Sequence, residues 1–403
     1  MLRVGVTGVG AISALGLNAT EFWCSLENGT CGIRPLTSID SRQFRFRNAA
    51  EVHGYAPEEV FESSELVLMD RFAQFAVLSA REAIAHANVE WTPPLREKAT
   101  VVTGSCMGGG RSQEEGYREV FQKGRSRVHP LTIPLAMSNA GASHISMFNG
   151  ILGPTFTVST ACASSAHAIG QAFWMVRSGL TPLAIAGGSE APLFFGGLRA
   201  WEAMRVISKD TCRPFSADRS GMILGEGGAM LVLEPIEAAL ARGVEPLVEI
   251  VGFGMTSDAH HITEPFYQGA ARAMHSALTD AGLAPERIGY INAHGTATEA
   301  NDRTETAAIR AVFGAHADRV AVSSTKSMHG HTLGAAGALE AVATVLALRN
   351  GVLPPTANFS APDPACNLDV VPNHARKVVV EAGLSNSFAF GGLNAALCFK
   401  RVE

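Results

Sequence analysis

The chain has 403 residues, 32 of them basic and 37 acidic, for a net charge of −5, and charged residues make up only 17%. At that length folding buries roughly three quarters of the unfolded chain's surface, so a core forms without disulfide or metal staples. Low charge and 41 glycines point to much buried surface, a subunit interface included, and the lack of a long run of either sign excludes a nucleic-acid-binding face.

Residues 4–17 are apolar, but Gly5, Gly8, Gly10 and Gly16 interrupt any signal-peptide helix, so the stretch reads as strand, turn and helix. Val4-Gly5-Val6-Thr7-Gly8-Val9-Gly10 is echoed 244 residues later by Val248-Glu249-Ile250-Val251-Gly252-Phe253-Gly254. Ser13 and Ser257 stand where a dinucleotide fingerprint has its third glycine, so both Gly-x-Gly pairs are read as tight turns after strands. A helix over 75–87 followed by a strand over 100–104 is repeated as a helix over 270–281 and a strand over 288–293. A strand over 155–160 precedes a helix with Ala166, Ile169, Phe173 and Val176 on one face, spaced 3, 4, 3. The strand over 319–325 precedes Leu339, Val342, Leu346 and Arg349 at the same spacing. Two α/β halves, 1–245 and 246–403, account for this duplication. The shrinking offset assigns the first half extra loops around 18–70 and 110–135, segments of a kind that build sites or interfaces.

Seven cysteines, with no Cys-x-x-Cys among them, argue against a disulfide framework or a zinc ribbon and for a reducing cytoplasm. No apolar run approaches the ~18 residues that span a bilayer. Cys162 lies where the strand over 155–160 passes into a helix, among Thr160, Ala161, Ala163, Ser164 and Ser165. Unpaired N–H groups and the helix dipole favour a thiolate there. The other six cysteines read as small buried hydrophobes. In the second half His294 follows one strand, and Lys326, His329 and His331 follow the next. The duplication places these on the strand edge that presents Cys162. His329-x-His331 resembles a metal pair, but no further ligand stands at metal spacing. One Cys with two His points to acyl transfer through a thioester, the imidazoles managing charge and protons.

Four blocks carry a family resemblance over nearly the whole chain: Thr160 to Ser165, Ala293 to Thr298, Lys326 to His331 with Gly334-Ala335-Ala336-Gly337, and Asn386 to Gly392. With these the sequence resembles the II type of β-ketoacyl-acyl-carrier-protein synthase in the thiolase superfamily. The resemblance implies a thiolase-like five-layered αβαβα fold, a dimer, and decarboxylative Claisen condensation of malonyl-carrier protein onto an acyl-enzyme, in fatty acid or polyketide elongation. It implies that Cys162 is the nucleophile, that His294 and His331 serve decarboxylation and hold the enolate, and that Lys326 organises the charge. Phe390 gates the site and, with Cys162, supplies backbone oxyanion donors. Thr296, Thr298 and Thr263 match pantetheine-binding positions, Met107 and Trp201 match the acyl tunnel, and Met137 matches a position on a dimer partner. Arg127 and Arg205 match basic carrier-docking positions. Glu340 matches a buried acid near which some members hold a monovalent cation. No tightly bound cofactor is implied, since phosphopantetheine arrives on the acyl carrier protein.

The sequence departs from the family pattern at Ala389 and Leu393 in the gating loop and at Ser216, and Val67 and Leu68 replace basic residues. The segments 134–139 and 385–393 are also similar to condensing enzymes of specialised lipid pathways, the nodulation type included. A thiolase would carry a second catalytic cysteine in a Gly-rich C-terminal motif, whereas Cys398 sits in a strand pattern. A chain-length factor would lack the nucleophile, so this chain reads as the catalytic member of a homodimer or of a heterodimer with such a factor.

Overall fold

The computed structural model describes residues 1–402. Ten strands form the main sheet: β1 (Val4–Ser13), β2 (Thr100–Gly104), β3 (Thr155–Val158), β4 (Ala184–Glu190), β5 (Gly227–Pro235), β6 (Val248–Ser257), β7 (Ile288–Asn292), β8 (Ala321–Ser323), β9 (Ala382–Ala389) and β10 (Leu393–Lys400). Their order is β8-β7-β9-β10-β6-β1-β5-β4-β2-β3. Outward from the β1–β6 seam the two sides run 1-5-4-2-3 and 6-10-9-7-8, the same order twice. The pairing senses repeat as well, two antiparallel pairs and then two parallel ones on each side.

The longer helices are α1 (Arg71–His86), α2 (Gly110–Phe121), α3 (Ala140–Asn149), α4 (Ser164–Arg177), α5 (Tyr267–Ala281), α6 (Glu299–Phe313) and α7 (Ala336–Asn350). Successive side chains of a strand point to opposite faces, so a strand covered on both sides feeds two cores. In β5, Ala229, Leu231 and Leu233 join the core around α4 and α7, while Met230 and Val232 join the core around α1 and α3. In β10, Ala395, Leu397 and Phe399 face α4 and α7, while Ala396 and Cys398 face α5 and α6. Five layers result, α1/α3, strands, α4/α7, strands and α5/α6, the α/β thiolase-like fold expected from the sequence. No helix among the described residues is long and apolar enough to cross a membrane.

Three local expectations are corrected. The Gly-x-Gly pairs make no turn: β1 runs on to Ser13 and β6 to Ser257. A Cβ on Gly8 or Gly10 would lie 2.1 Å from the carbonyl oxygens of Ala83 or Ser79 in α1, and one on Gly252 or Gly254 would lie 2.2 or 2.0 Å from those of Ala277 or Ala273 in α5. The duplicated glycines therefore let a helix rest directly on a strand. Second, 110–135 is not one long loop, because α2 and a short helix over Thr132–Ala136 flank an irregular stretch over 122–131. The α2 sequence is largely polar and steadied by the i,i+4 pair Glu114–Arg118, so it offers little apolar period to read. Third, α7 is not amphipathic. From Ala336 to Leu348 only Leu346 falls short of full burial, as a helix between two sheet layers must.

Candidate active site

The chemistry-bearing residues leave the C-terminal ends of parallel strands, β3 and its counterpart β8 among them. Cys162 follows β3 through a sharp elbow in which Ala161 holds φ +48°, a conformation that a Cβ makes costly and that surrounding contacts must impose. Ser164 supplies part of that frame, since its Oγ accepts from Thr160 N (2.9 Å) and donates to Ala161 O (2.6 Å). His294 follows β7, and Lys326 and His331 follow β8. Phe390 sits in the β9–β10 turn beside Gly391 and Gly392, both at positive φ.

These segments enclose a cavity of about 130 Å³ lined by Cys162, His294, His331 and Phe390, with Thr263, Thr296 and Thr298 on its walls. Trp201 also lines it and stacks on Phe390, ring centroids 6.2 Å apart. Lys326 and Glu340 form a fully buried ion pair behind the cavity. Met107 does not line the cavity; it packs in the apolar cluster that holds Cys162, Leu193 and Leu198. Met137, Arg127 and Arg205 are exposed and lie outside it. His329 turns away, its Nδ1 facing Gly330 O (2.8 Å) and its Nε2 facing Thr325 Oγ1 (3.0 Å).

Hydrogen bonding fixes the imidazole tautomers. Leu333 N donates to His331 Nδ1 at 3.2 Å, and Lys326 Nζ reaches His294 Nδ1 at 3.3 Å. A backbone N–H and an ammonium only donate, so each Nδ1 accepts and each Nε2 carries the proton. Burial, and after it the Lys326 charge, holds the pKa of both rings well below the usual histidine range. Both are neutral N–H donors at physiological pH. The rings cross nearly at right angles with centroids 5.5 Å apart.

The thiol departs from the sequence expectation. Burial outweighs the opposing Lys326 charge and the backbone N–H groups of Phe390 and Cys162, and pushes its pKa up to about 11. The resting nucleophile is a thiol, because desolvation costs the thiolate more than the donors return. Inactivation by iodoacetamide should accordingly rise about tenfold per pH unit from pH 7 to 9 with no plateau, followed by loss of acylation activity. Levelling off near pH 7 would show a resting thiolate instead. Nor do all six other cysteines fit the buried expectation: Cys24 is exposed, and Cys31 and Cys106 are half-buried. Cys24 faces outward from a short helix whose buried face is made by Ala19, Phe22 and Leu26.

Sequence reading missed the buried acids that knit the loops. Glu305 accepts from the backbone N–H groups of His294 and Gly295, both at 2.8 Å. Glu190 accepts from Cys106 N (2.8 Å), Met107 N and Gly334 N (both 3.1 Å). Asp302 accepts from Phe215 N at 2.8 Å. The available signal was an acid set among small residues, as in Gly187-Gly188-Ser189-Glu190-Ala191, or two acids spaced i,i+3 on one helix.

Residues 1–239 match the model of the β-ketoacyl synthase N-terminal domain, and residues 247–360 match that of the C-terminal domain. The chain belongs to the β-ketoacyl synthase family. The synthase is 45% identical over 400 residues to Nodulation protein E of Rhizobium sp. (strain N33), covering 99% of each chain. It is 42% identical over 409 residues to 3-oxoacyl-(acyl-carrier-protein) synthase 2 of Synechocystis sp., covering 100% of this chain and 98% of that one. Among solved structures, the ishigamide ketosynthase/chain length factor aligns over 100% of both chains with a TM-score of 0.95 at 35% identity. These matches make the synthase a condensing acyltransferase, as the four motifs implied.

Proposed function

We propose that this synthase condenses malonyl-carrier protein with an acyl primer held as a thioester on Cys162. The observation that carries the reading is the convergence of one buried thiol and two neutral Nε2–H imidazoles on a single cavity. Sulfur attacks the primer thioester carbonyl, the new S–C bond forms, and the carrier thiol leaves with the proton that Cys162 gives up. The backbone N–H groups of Cys162 and Phe390 hold the oxyanion of that step. Malonyl-carrier protein then loses CO₂. The electron pair released makes an enolate whose oxygen accepts from Nε2–H of His294 and His331; its carbon attacks the acyl group and expels the sulfur as a thiolate, which takes a proton from solvent to restore the Cys162 thiol. Lys326 keeps His294 in the required tautomer. Thr263, Thr296 and Thr298 line the path of the pantetheine arm, while Trp201 bounds the acyl chain, and Met107 packs against the same apolar cluster. Incubation with malonyl- and acyl-carrier protein should give CO₂ and a 3-oxoacyl product; CO₂ and product both absent from every primer tried would overturn the reading.

Two subsidiary expectations follow from the division of labour. His294→Ala and His331→Ala should each cut condensation about a hundredfold or more while sparing Cys162 acylation, read by burst kinetics; equal loss in both steps would refute it. Arg127→Glu and Arg205→Glu should raise the apparent KM for the acidic carrier and flatten its salt dependence. Unchanged salt dependence in both would move docking to Val67 and Leu68, each about half exposed.

The chemistry of the donors around Glu340 also fits a monovalent cation. Glu340 Oε2, Asn386 Oδ1 and Ser387 Oγ are buried without hydrogen-bond partners among the described residues, and hard oxygens of this kind suit such an ion. They would hold it, and it would supply a counter-charge there. For quaternary structure, the edge strand β3 exposes Phe156, and Ile133, Met137, Met147 and Leu152 are exposed as well. An open apolar edge supports a partner subunit, a second copy or a chain-length-factor-like chain. The repeated strand order supports the division into halves 1–245 and 246–403, and seven free cysteines support a cytoplasmic setting.

A further inference from the structure

The cavity mouth is formed by the first turn of α6, where Thr298, Ala300 and Asn301 line it. Of these, the Asn301 side chain is oriented by buried acids behind it. Its Nδ2 donates to Asp302 Oδ1 (3.2 Å) and to Glu305 Oε2 (3.4 Å). Those oxygens already accept from the backbone N–H groups of Ala297 and Gly295, so they act as acceptors and the Asn301 amide cannot be flipped. Its Oδ1 is thereby turned from the buried acids, on a residue that lines the cavity. Among the described residues no protein donor pairs with it.

The neighbouring hydroxyls leave a complementary gap. Thr296 Oγ1 and Thr298 Oγ1 bond each other at 2.9 Å, and Thr298 Oγ1 also accepts from Asn301 N at 3.4 Å. One hydroxyl hydrogen of the pair is spent internally and one remains to donate, which suits an amide carbonyl. A pantetheine arm also brings amide N–H donors, and a donor taken out of water without an acceptor is costly. We propose that Asn301 positions the pantetheine arm by accepting one of its amide N–H groups at Oδ1, in partnership with the Thr296–Thr298 hydroxyl pair. This rests on the reading that acyl groups arrive as pantetheine thioesters. Because the same side chain is tied to Glu305, which carries the backbone of His294 and Gly295, the arm and the His294 loop share one rigid support.

The test compares Asn301→Ala and Asn301→Leu with wild type, following Cys162 acylation by octanoyl-pantetheine and by the octanoyl thioester of ethanethiol, which has no amide. The KM for octanoyl-pantetheine should rise about three- to tenfold in the variants, and the ratio of variant to wild type should shrink toward one with the ethanethiol thioester. Equal losses with both thioesters would assign Asn301 a packing role and overturn the proposal, as would an unchanged KM for octanoyl-pantetheine. Should the variants not fold, wild type is offered octanoyl-pantetheine methylated at its amide nitrogens. A rise in KM supports the proposal and an unchanged KM overturns it. Failure of wild type to be acylated by any of these thioesters marks the parent reading, rather than the Asn301 contact, as the error.

Discussion

Cys162→Ala should abolish covalent acylation and lower condensation at least about a thousandfold, yet the variant should still release CO₂ from malonyl-carrier protein. The two halves of this outcome have separate physical sources. Sulfur is the only atom removed, so the acyl-enzyme cannot form. The Nε2–H donors of His294 and His331 are held by Lys326 and by Leu333 N, in bonds that do not involve the Cys162 sulfur, so the enolate binding site survives. The Ala161 elbow also survives, since its Ser164 bonds involve only backbone and the Ser164 hydroxyl. Intact-mass spectrometry after exposure to acyl-carrier protein, paired with CO₂ release, reads both halves. A covalent adduct on the alanine variant would refute the nucleophile assignment. Loss of CO₂ release in step with condensation would refute the separation of the two functions.

What the sequence made legible was periodic or chemically unusual. Strand alternation and the 3, 4, 3 spacing of Ala166, Ile169, Phe173 and Val176 revealed α/β halves, because those residues face one layer and their period survives in one dimension. Cys162, His294 and His331 stood out because a thiol and two imidazoles at strand ends are rare among small residues. The features missed depend on what lies opposite. Gly8 and Gly252 read as turns because glycine marks both a positive φ and a close approach, and only the position of α1 or α5 decides between them. The thiol's raised pKa could not be read locally, since the helix start that favours thiolate is adjacent in sequence while the burial that opposes it comes from distant segments. Glu305 and Asn301 fall on the polar first half of their helix; that its first turn faces an active-site cavity is a tertiary fact.

Lys326→Met should destabilise the fold by about 3–5 kcal/mol at pH 8, and its stability should go on falling with pH above 7, where the Glu340 contribution in wild type has levelled off. Lys326 and Glu340 are both fully buried, and the second oxygen of Glu340 has no hydrogen-bond partner. Burial already raises the Glu340 pKa to about 7 even against the lowering pull of Lys326. Without the ammonium it rises further, and the native state takes up a proton that the unfolded chain, near the ordinary glutamate value of 4.5, does not hold. Above that value the native form then binds more protons than the unfolded one. Stability is therefore fully present below the unfolded pKa and is lost as pH rises through the folded one, by up to about 1.4 kcal/mol per unit. Urea unfolding of the variant from pH 6 to 8 should show its deficit against wild type growing with pH, and a deficit independent of pH would mean that Glu340 is not the group left uncompensated. The double variant Lys326→Met/Glu340→Leu replaces the pair with apolar side chains and should recover most of the stability. It should not recover decarboxylation, which stays about a hundredfold down, because His294 Nδ1 has lost the donor that kept its proton on Nε2. Full activity in the stable double variant would show that Lys326 serves only to neutralise Glu340 and plays no part in setting the tautomer of His294.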